Sequence, residues 1–167
     1  MLTSCGNLAH IEKKPTPVLY DNIIISIVTD KAIVFPKMSD KDFLSTVSSQ
    51  LNNFTKAEIV KQGSLKVTSV CEHRTLKIVQ EVTGITANTV TDAQTGFILF
   101  QLFRGTVNSK TKDIIYINTT ATIVDCESGK ELGSYNYQSE GQNPIESLQT
   151  IAAYNVYYAY AHQRGSK

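Results

Sequence analysis

The order of apolar and polar residues predicts two short strands near the N-terminus. Residues 22–28 (NIIISIV) and 32–35 (AIVF) are apolar runs of strand length, and Pro36 ends the second run. We expect a hairpin through residues 29–31 to join them.

An amphipathic helix should follow these strands. Ser39 and Asp42 have the spacing of a capping box, which supplies side-chain acceptors to the first N–H groups of a helix. Beyond them, apolar residues recur within one arc of about 100°, which predicts a helix with one buried face. These residues are Phe43, Leu44, Val47, Leu51 and Phe54.

The next segment fits more than one assignment. Residues 57–60 and 64–70 have the composition of short strands. In residues 71–93, Ser69 with Glu72 offers a helix cap, whereas the many β-branched residues suit strands. We favour a helix for that region.

The pattern is clearer in the second half of the chain. Residues 97–107 are apolar on both faces as far as Phe103, which predicts a central strand covered on both sides. Residues 112–126 alternate between apolar and polar, which indicates a strand with one drier face. Residues 127–130 predict a turn that leads into a strand over 131–139.

Pro144 is typical of a helix start, and the residues after it carry an apolar stripe. The stripe comprises Ile145, Leu148, Ala152, Val156 and Ala159. The whole order of elements predicts an α+β fold, with two or three helices packed on one face of a mostly antiparallel sheet. At 167 residues we expect one domain over residues 22–163, preceded by an anchor and tether over 1–21 and followed by a tail over 164–167.

The C-terminal helix also carries four of the eight tyrosines. At 100° per residue, Tyr154, Tyr157 and Tyr158 point about 120° to 220° away from the apolar stripe. One interpretation is a broad helix face packed into the domain with its hydroxyls reaching water. The other is that Tyr154 and Tyr157 form a surface for a protein partner, because tyrosine is enriched at interfaces.

Charge and candidate chemistry exclude several classes of function. The net charge of +1 provides no field to attract a nucleic acid. His10, His73 and His162 are typical of solvated residues, and Asp92 and Asp125 lie beside turn-forming residues. No metal-binding, nucleotide-binding or nucleophile motif occurs. We therefore expect no enzyme, no metal and no cofactor.

No apolar run reaches the roughly 18 to 20 residues of a membrane-spanning helix. Membrane contact would need an anchor, and Leu2-Thr3-Ser4-Cys5 resembles the lipobox of bacterial lipoproteins. The resemblance implies that Cys5 receives a diacylglyceryl thioether, with acyl groups such as palmitate, after the preceding peptide is removed. Gly6 rather than Asp resembles the arrangement that directs enteric-type lipoproteins to the outer membrane.

Only four residues precede Cys5, whereas a signal peptide needs about 7 to 15 apolar residues. We therefore expect that the natural signal peptide was cut off from this sequence, or that its start codon was misassigned. The polar, proline-containing residues that follow suit a tether. The alternative is a frayed N-terminus with a chance cysteine.

The three cysteines are an odd number. If Cys5 is acylated, Cys71 and Cys126 can pair in an oxidising compartment. The alternative is a cytosolic protein with three unrelated thiols.

Two stretches carry a family resemblance. Residues 103–107 (FRGTV) and 121–132 (ATIVDCESGKEL) resemble the sequence rhythm of small cell-envelope lipoproteins, including the YajG-like group and the curli-secretion and TolB N-terminal type of α/β domain. The resemblance implies a non-catalytic accessory protein of the periplasm or outer membrane.

We therefore expect a lipid-anchored accessory or scaffold protein on the periplasmic side of the outer membrane, with envelope proteins as partners. It would serve a secretion, pilus, flagellar or transport system. The alternative is a periplasmic small-ligand-binding or enzymatic domain with a pocket on the sheet. A deep cavity with several polar groups would favour the alternative, and a shallow surface with exposed aromatic residues the scaffold.

Overall fold

A computed structural model describes residues 19–35, 41–88 and 114–164. Several predicted features lie outside these residues. They are the lipobox with Cys5, the tether as far as residue 18, His10, Ser39, Asp92 and the predicted strand over 97–107.

The fold is α+β, as predicted, with a six-stranded mixed sheet and two helices packed on it. The strands are β1 (Asn22–Val28), β2 (Ile33–Phe35), β3 (Lys66–Val67), β4 (Thr75–Asn88), β5 (Ile114–Asp125) and β6 (Glu131–Gly141). The helices are α1 (Lys41–Gln62) and α2 (Pro144–Ala161).

The sheet has the order β3-β1-β4-β5-β6, and β2 also pairs with β4. The long ladders β4–β5 and β5–β6 are antiparallel. The shorter pairings of β1 with β3, β1 with β4 and β2 with β4 are parallel.

The predicted hairpin between β1 and β2 is wrong. Both strands run parallel to β4 on the same side of it, β1 beside residues 75–81 and β2 beside residues 84–86. At 14 residues, β4 is long enough to hold two successive strands end to end.

The predicted helix over residues 71–93 is also wrong, because most of that segment is β4, the centre of the sheet. The predicted strand over residues 57–60 belongs to α1 instead. This helix continues to Gln62 and ends at Gly63, which has a φ of 70° and donates its N–H to the Ile59 carbonyl at 2.9 Å. Within the predicted strand over residues 64–70, only Lys66–Val67 is extended.

Both helices bury their apolar stripes against the sheet. The predicted α1 stripe contributes Phe43, Val47 and Leu51 to the core. On α2, four of the five predicted stripe residues are buried, whereas Ile145 is half-buried. Pro144 opens this helix behind the N-cap Asn143, whose side chain accepts from the N–H groups of residues 145 and 146.

A buried polar network joins the two helices to the centre of the sheet. Gln80 of β4 donates to the Thr55 hydroxyl at 2.9 Å and accepts from the Asn155 amide at 2.7 Å. Thr55 also donates to the Leu51 carbonyl at 2.7 Å. Because buried polar groups are costly without partners, this network fixes the positions of both helices on β4.

Candidate functional site

Cys71 and Cys126 are joined in a disulfide, as the cysteine count predicted. Their Cα atoms are 5.8 Å apart, within the usual range for a bridge. The two cysteines come together because β4 and β5 are antiparallel and Leu76 lies opposite Asp125. The bridge therefore closes one end of the sheet. We call this the disulfide end.

The chain enters the described fold at the same end. Leu19 donates its N–H to the Gln163 carbonyl at 3.0 Å, and the Gln163 side chain donates to the Tyr20 carbonyl at 3.3 Å. Arg74 donates to the Leu19 carbonyl at 3.2 Å and forms an ion pair with Asp21 at 3.0 Å. These contacts fix the entry point of the chain to the body of the protein.

The buried side chain of Tyr20 strengthens this attachment. Tyr20 donates to one Asp125 carboxylate oxygen at 2.7 Å, and the other oxygen accepts from the Ser128 N–H at 2.8 Å. The Ser128 N–H, followed by the Tyr20 hydroxyl, lowers the pKa of Asp125. Burial, together with the hydrogen bond and the charge of Asp125, raises the pKa of Tyr20 to about 12. Asp125 thus caps its own turn, as turn carboxylates commonly do.

The described histidines make separate contacts. His73 is exposed and lies 2.9 Å from a Glu127 carboxylate oxygen. His162 lies 2.6 Å from the Tyr135 hydroxyl. Within residues 19–35, 41–88 and 114–164, no group of three or more His, Cys, Asp or Glu residues is arranged to hold a metal ion. In the same ranges, no helix combines the length and the apolar character needed to cross a membrane.

The tyrosines of α2 meet two tyrosines of β6. Tyr158 stacks on Tyr135 with ring centroids 3.8 Å apart, and Tyr154 stacks on Tyr137 at 4.4 Å. Tyr157 adds an edge-on contact to Tyr158 at 5.6 Å. We call these five residues the tyrosine row.

Two members of the tyrosine row lie at the surface. Tyr154 is 44% exposed and Tyr157 63%, and both line an open surface hollow of about 260 Å³ with Ala153. Burial, followed by the nearby Tyr154, raises the pKa of Tyr137. Tyr154 therefore packs partly within the fold, whereas Tyr157 projects from it. Their role as a partner surface stays a prediction.

The structure also contains an open cleft that the sequence did not predict. It has a volume of about 470 Å³ and is lined by Ile24 and Ile25 of β1, by Asn52 and Lys56 of α1, and by residues 67–69 at the end of β3. No local sequence pattern predicts this cleft, because it forms where β3 ends before β1 does, and that depends on how the strands pair.

No protein-family model matches the chain, and no curated protein matches it significantly. Among solved structures, a Xanthomonas campestris protein of the DUF330 family is similar with a TM-score of 0.53 and 8% identity, over 89% of this chain and 90% of that protein. This likeness shows a shared fold alone.

Two further structures have lower TM-scores. A minor lipoprotein from Acinetobacter baumannii has a TM-score of 0.48 and 10% identity, over 90% of this chain and 100% of that protein. The PelC dodecamer from Paraburkholderia phytofirmans has a TM-score of 0.47 and 11% identity, over 85% of this chain and 90% of that protein.

Proposed function

We propose that this chain is a lipid-anchored accessory or scaffold protein of a bacterial envelope. In this proposal Cys5 holds it at the periplasmic side of the outer membrane, and it serves a larger secretion, pilus, flagellar or transport assembly. The proposal assigns it no catalytic step.

The use of the cysteines carries this proposal. The Cys71–Cys126 bridge accounts for two of the three cysteines and leaves Cys5, the residue within the lipobox-like tetrad. Stable disulfides are typical of exported proteins, and acylation would remove the remaining thiol. The resemblance to YajG-like and related envelope lipoproteins supports the same location.

The attachment of the chain at the disulfide end determines where a tether from the anchor would leave the body of the protein. Because Leu19 and Tyr20 are hydrogen-bonded to the body, a tether from Cys5 would leave the protein at a fixed point. At about 3.3 to 3.6 Å per residue, the segment from Cys5 to Leu19 extends at most about 50 Å. The body would therefore stay close to the membrane and still turn toward a partner.

Fractionation of cells tests the anchor. The chain is expressed behind a full lipoprotein signal as the natural sequence, as Cys5→Ser, and as Cys71→Ser with Cys126→Ser. We expect only Cys5→Ser to leave the membrane fraction and lose fatty-acid label, because stable membrane attachment here requires the acyl chains. If Cys5→Ser still sediments with membranes after a high-salt wash, the proposed anchor is wrong.

Co-purification tests the scaffold role. Tyr157→Ser should reduce recovery of an envelope partner with little effect on stability, because Tyr157 is largely exposed. Val60→Ser removes another exposed apolar side chain, 76% exposed on α1, and serves as the control. A large loss of stability in Tyr157→Ser would assign this residue to the core and contradict the interface.

A further inference from the structure

Among the strands that the structure describes, one edge of the sheet is left open because β3 is short. Within that set, β3 pairs with Asn22 and Ile23 of β1 alone. On this side, Lys66 donates its N–H to the Asp21 carbonyl at 2.8 Å and Thr68 donates to the Ile23 carbonyl at 3.0 Å. The odd-numbered residues of β1 therefore direct their backbone groups toward β3.

Backbone direction alternates along a strand, so Ile25 and Ile27 direct their N–H and C=O groups to the same edge, beyond the end of β3. In the described parts of the chain, no strand pairs with them there. Residues 24–28 (IISIV) contain neither the lysine nor the proline that commonly protects an open edge.

A cleft lies directly beside this open edge. Ile25 and Val67 line it from the sheet, and Asn52 and Lys56 line it from α1. Its volume of about 470 Å³ is in the range of ligand-binding pockets. Among the lining residues that the structure describes, Lys56 carries the sole charge, and no described carboxylate lies within ion-pair distance of it.

We propose that the cleft binds an extended peptide segment of a partner protein, which adds a strand to the sheet beyond β3 and places an acidic side chain against Lys56. The N–H and C=O groups of Ile25 and Ile27 are spaced as in any β-strand, so they can form ladder hydrogen bonds with the backbone of an extended peptide. Ile25 and Val67 offer apolar contacts to side chains on one face of that strand, and the ammonium of Lys56 selects a carboxylate. Binding at the cleft would depend neither on the lipid anchor nor on the tyrosine row.

Nuclear magnetic resonance with defined peptides tests this site. The full chain carrying Cys5→Ser is titrated with blocked heptapeptides of alternating Val and Thr that contain one Asp, placed at each position in turn. At least one peptide should cause saturable shifts confined to the amides of residues 24–28 and 66–69. Binding should also slow hydrogen exchange at Ile25 and Ile27. The amides of Ile24 and Ser26 provide an internal control, because they face β4 and are protected throughout.

Variants of the two partners separate backbone pairing from charge. Methylation of the peptide nitrogens that face β1 should abolish binding. Lys56→Gln should weaken binding about two- to fivefold, the effect of losing an exposed ion pair. Lys61→Gln is the matched control, because Lys61 lies on the same helix outside the cleft and pairs with Glu58 at 3.7 Å. Lys56→Glu should bind better to a peptide with Lys in place of Asp.

Three outcomes would overturn the proposal. The first is the absence of saturable shifts at residues 24–28 with every peptide. The second is equal binding of the methylated peptide. The third is strong protection of the Ile25 and Ile27 amides in the free chain; if that protection rises with protein concentration, a second copy occupies the edge instead.

Discussion

Replacing both Cys71 and Cys126 with Ser should lower the free energy of unfolding by up to about 4 kcal/mol. The bridge joins residues 55 apart in the sequence. In the chain-entropy model, a closed loop of this size removes about 14 cal/mol/K from the unfolded chain, or roughly 4 kcal/mol at 25 °C. Measured effects of comparable bridges are commonly about 2 to 4 kcal/mol.

Most of this effect should arise in the unfolded state. In the folded state, the same loops are held by the β4–β5 ladder and by the Cys126 N–H, which donates to the Thr75 carbonyl at 3.0 Å. The two serines should therefore leave the folded structure nearly unchanged. The unfolded chain without the bridge is more expanded, so the urea dependence of unfolding should also become steeper.

Urea unfolding followed by circular dichroism measures this difference. Cys5→Ser is the control and should unfold like the natural chain, with and without reductant. The double variant should unfold at a lower urea concentration than the oxidised natural chain and match the reduced one. An unchanged unfolding free energy in the double variant would refute the expected contribution of the bridge.

Three other predictions concern contacts inside the fold. The raised pKa of Tyr20 makes its contribution to stability complete below its ordinary pKa of 10.0, and this contribution should disappear as the pH rises toward 12; Tyr20→Phe, which also loses the bond to Asp125, should show a smaller alkaline loss in pH-dependent unfolding. Gln80→Leu should lower the unfolding free energy by about 1 to 3 kcal/mol because it leaves the buried Asn155 amide without its acceptor, and adding Asn155→Leu should cost less than the sum of the single changes. Gly133→Ala should lower the melting temperature, since a Cβ there would lie 2.8 Å from both the Tyr135 hydroxyl and the His162 Nε2.

The sequence predicted elements well where one face of a segment is buried and the other is wet. The alternation over residues 112–126 became β5, and the helical spacing after Pro144 became α2. In both elements, the buried positions recur with the period of the secondary structure, two residues in the strand and about 3.6 in the helix. The local pattern therefore contains the information that decides the structure.

The segment over residues 71–93 shows why other parts could not be predicted. Its cap-like pair favoured a helix locally, but β4 gains pairing on both sides, from β5 along its length and from β1 and β2 in succession. Those partners are distant in sequence, so no local pattern reports them. The open edge of β1 follows from the same nonlocal topology. No local pattern in the sequence could therefore predict it either.

The tyrosine row lies between these two cases. The helical wheel correctly directed Tyr154 and Tyr157 away from the apolar stripe, and both are exposed. The stacking of Tyr154 and Tyr158 depends on the neighbouring strand, where Tyr135 and Tyr137 lie on one face.

The stacking is possible because the spacing of residues along the strand matches their spacing along the helix. Residues two apart on a strand are separated by about 6.6 Å, and residues four apart on a helix by about 6 Å. The connection between β6 and α2 is short, so the helix returns antiparallel to the strand. Tyr158 therefore meets Tyr135 while Tyr154 meets Tyr137. Tyr157 falls outside this match, and for that reason it is the member of the row whose replacement can separate partner binding from folding.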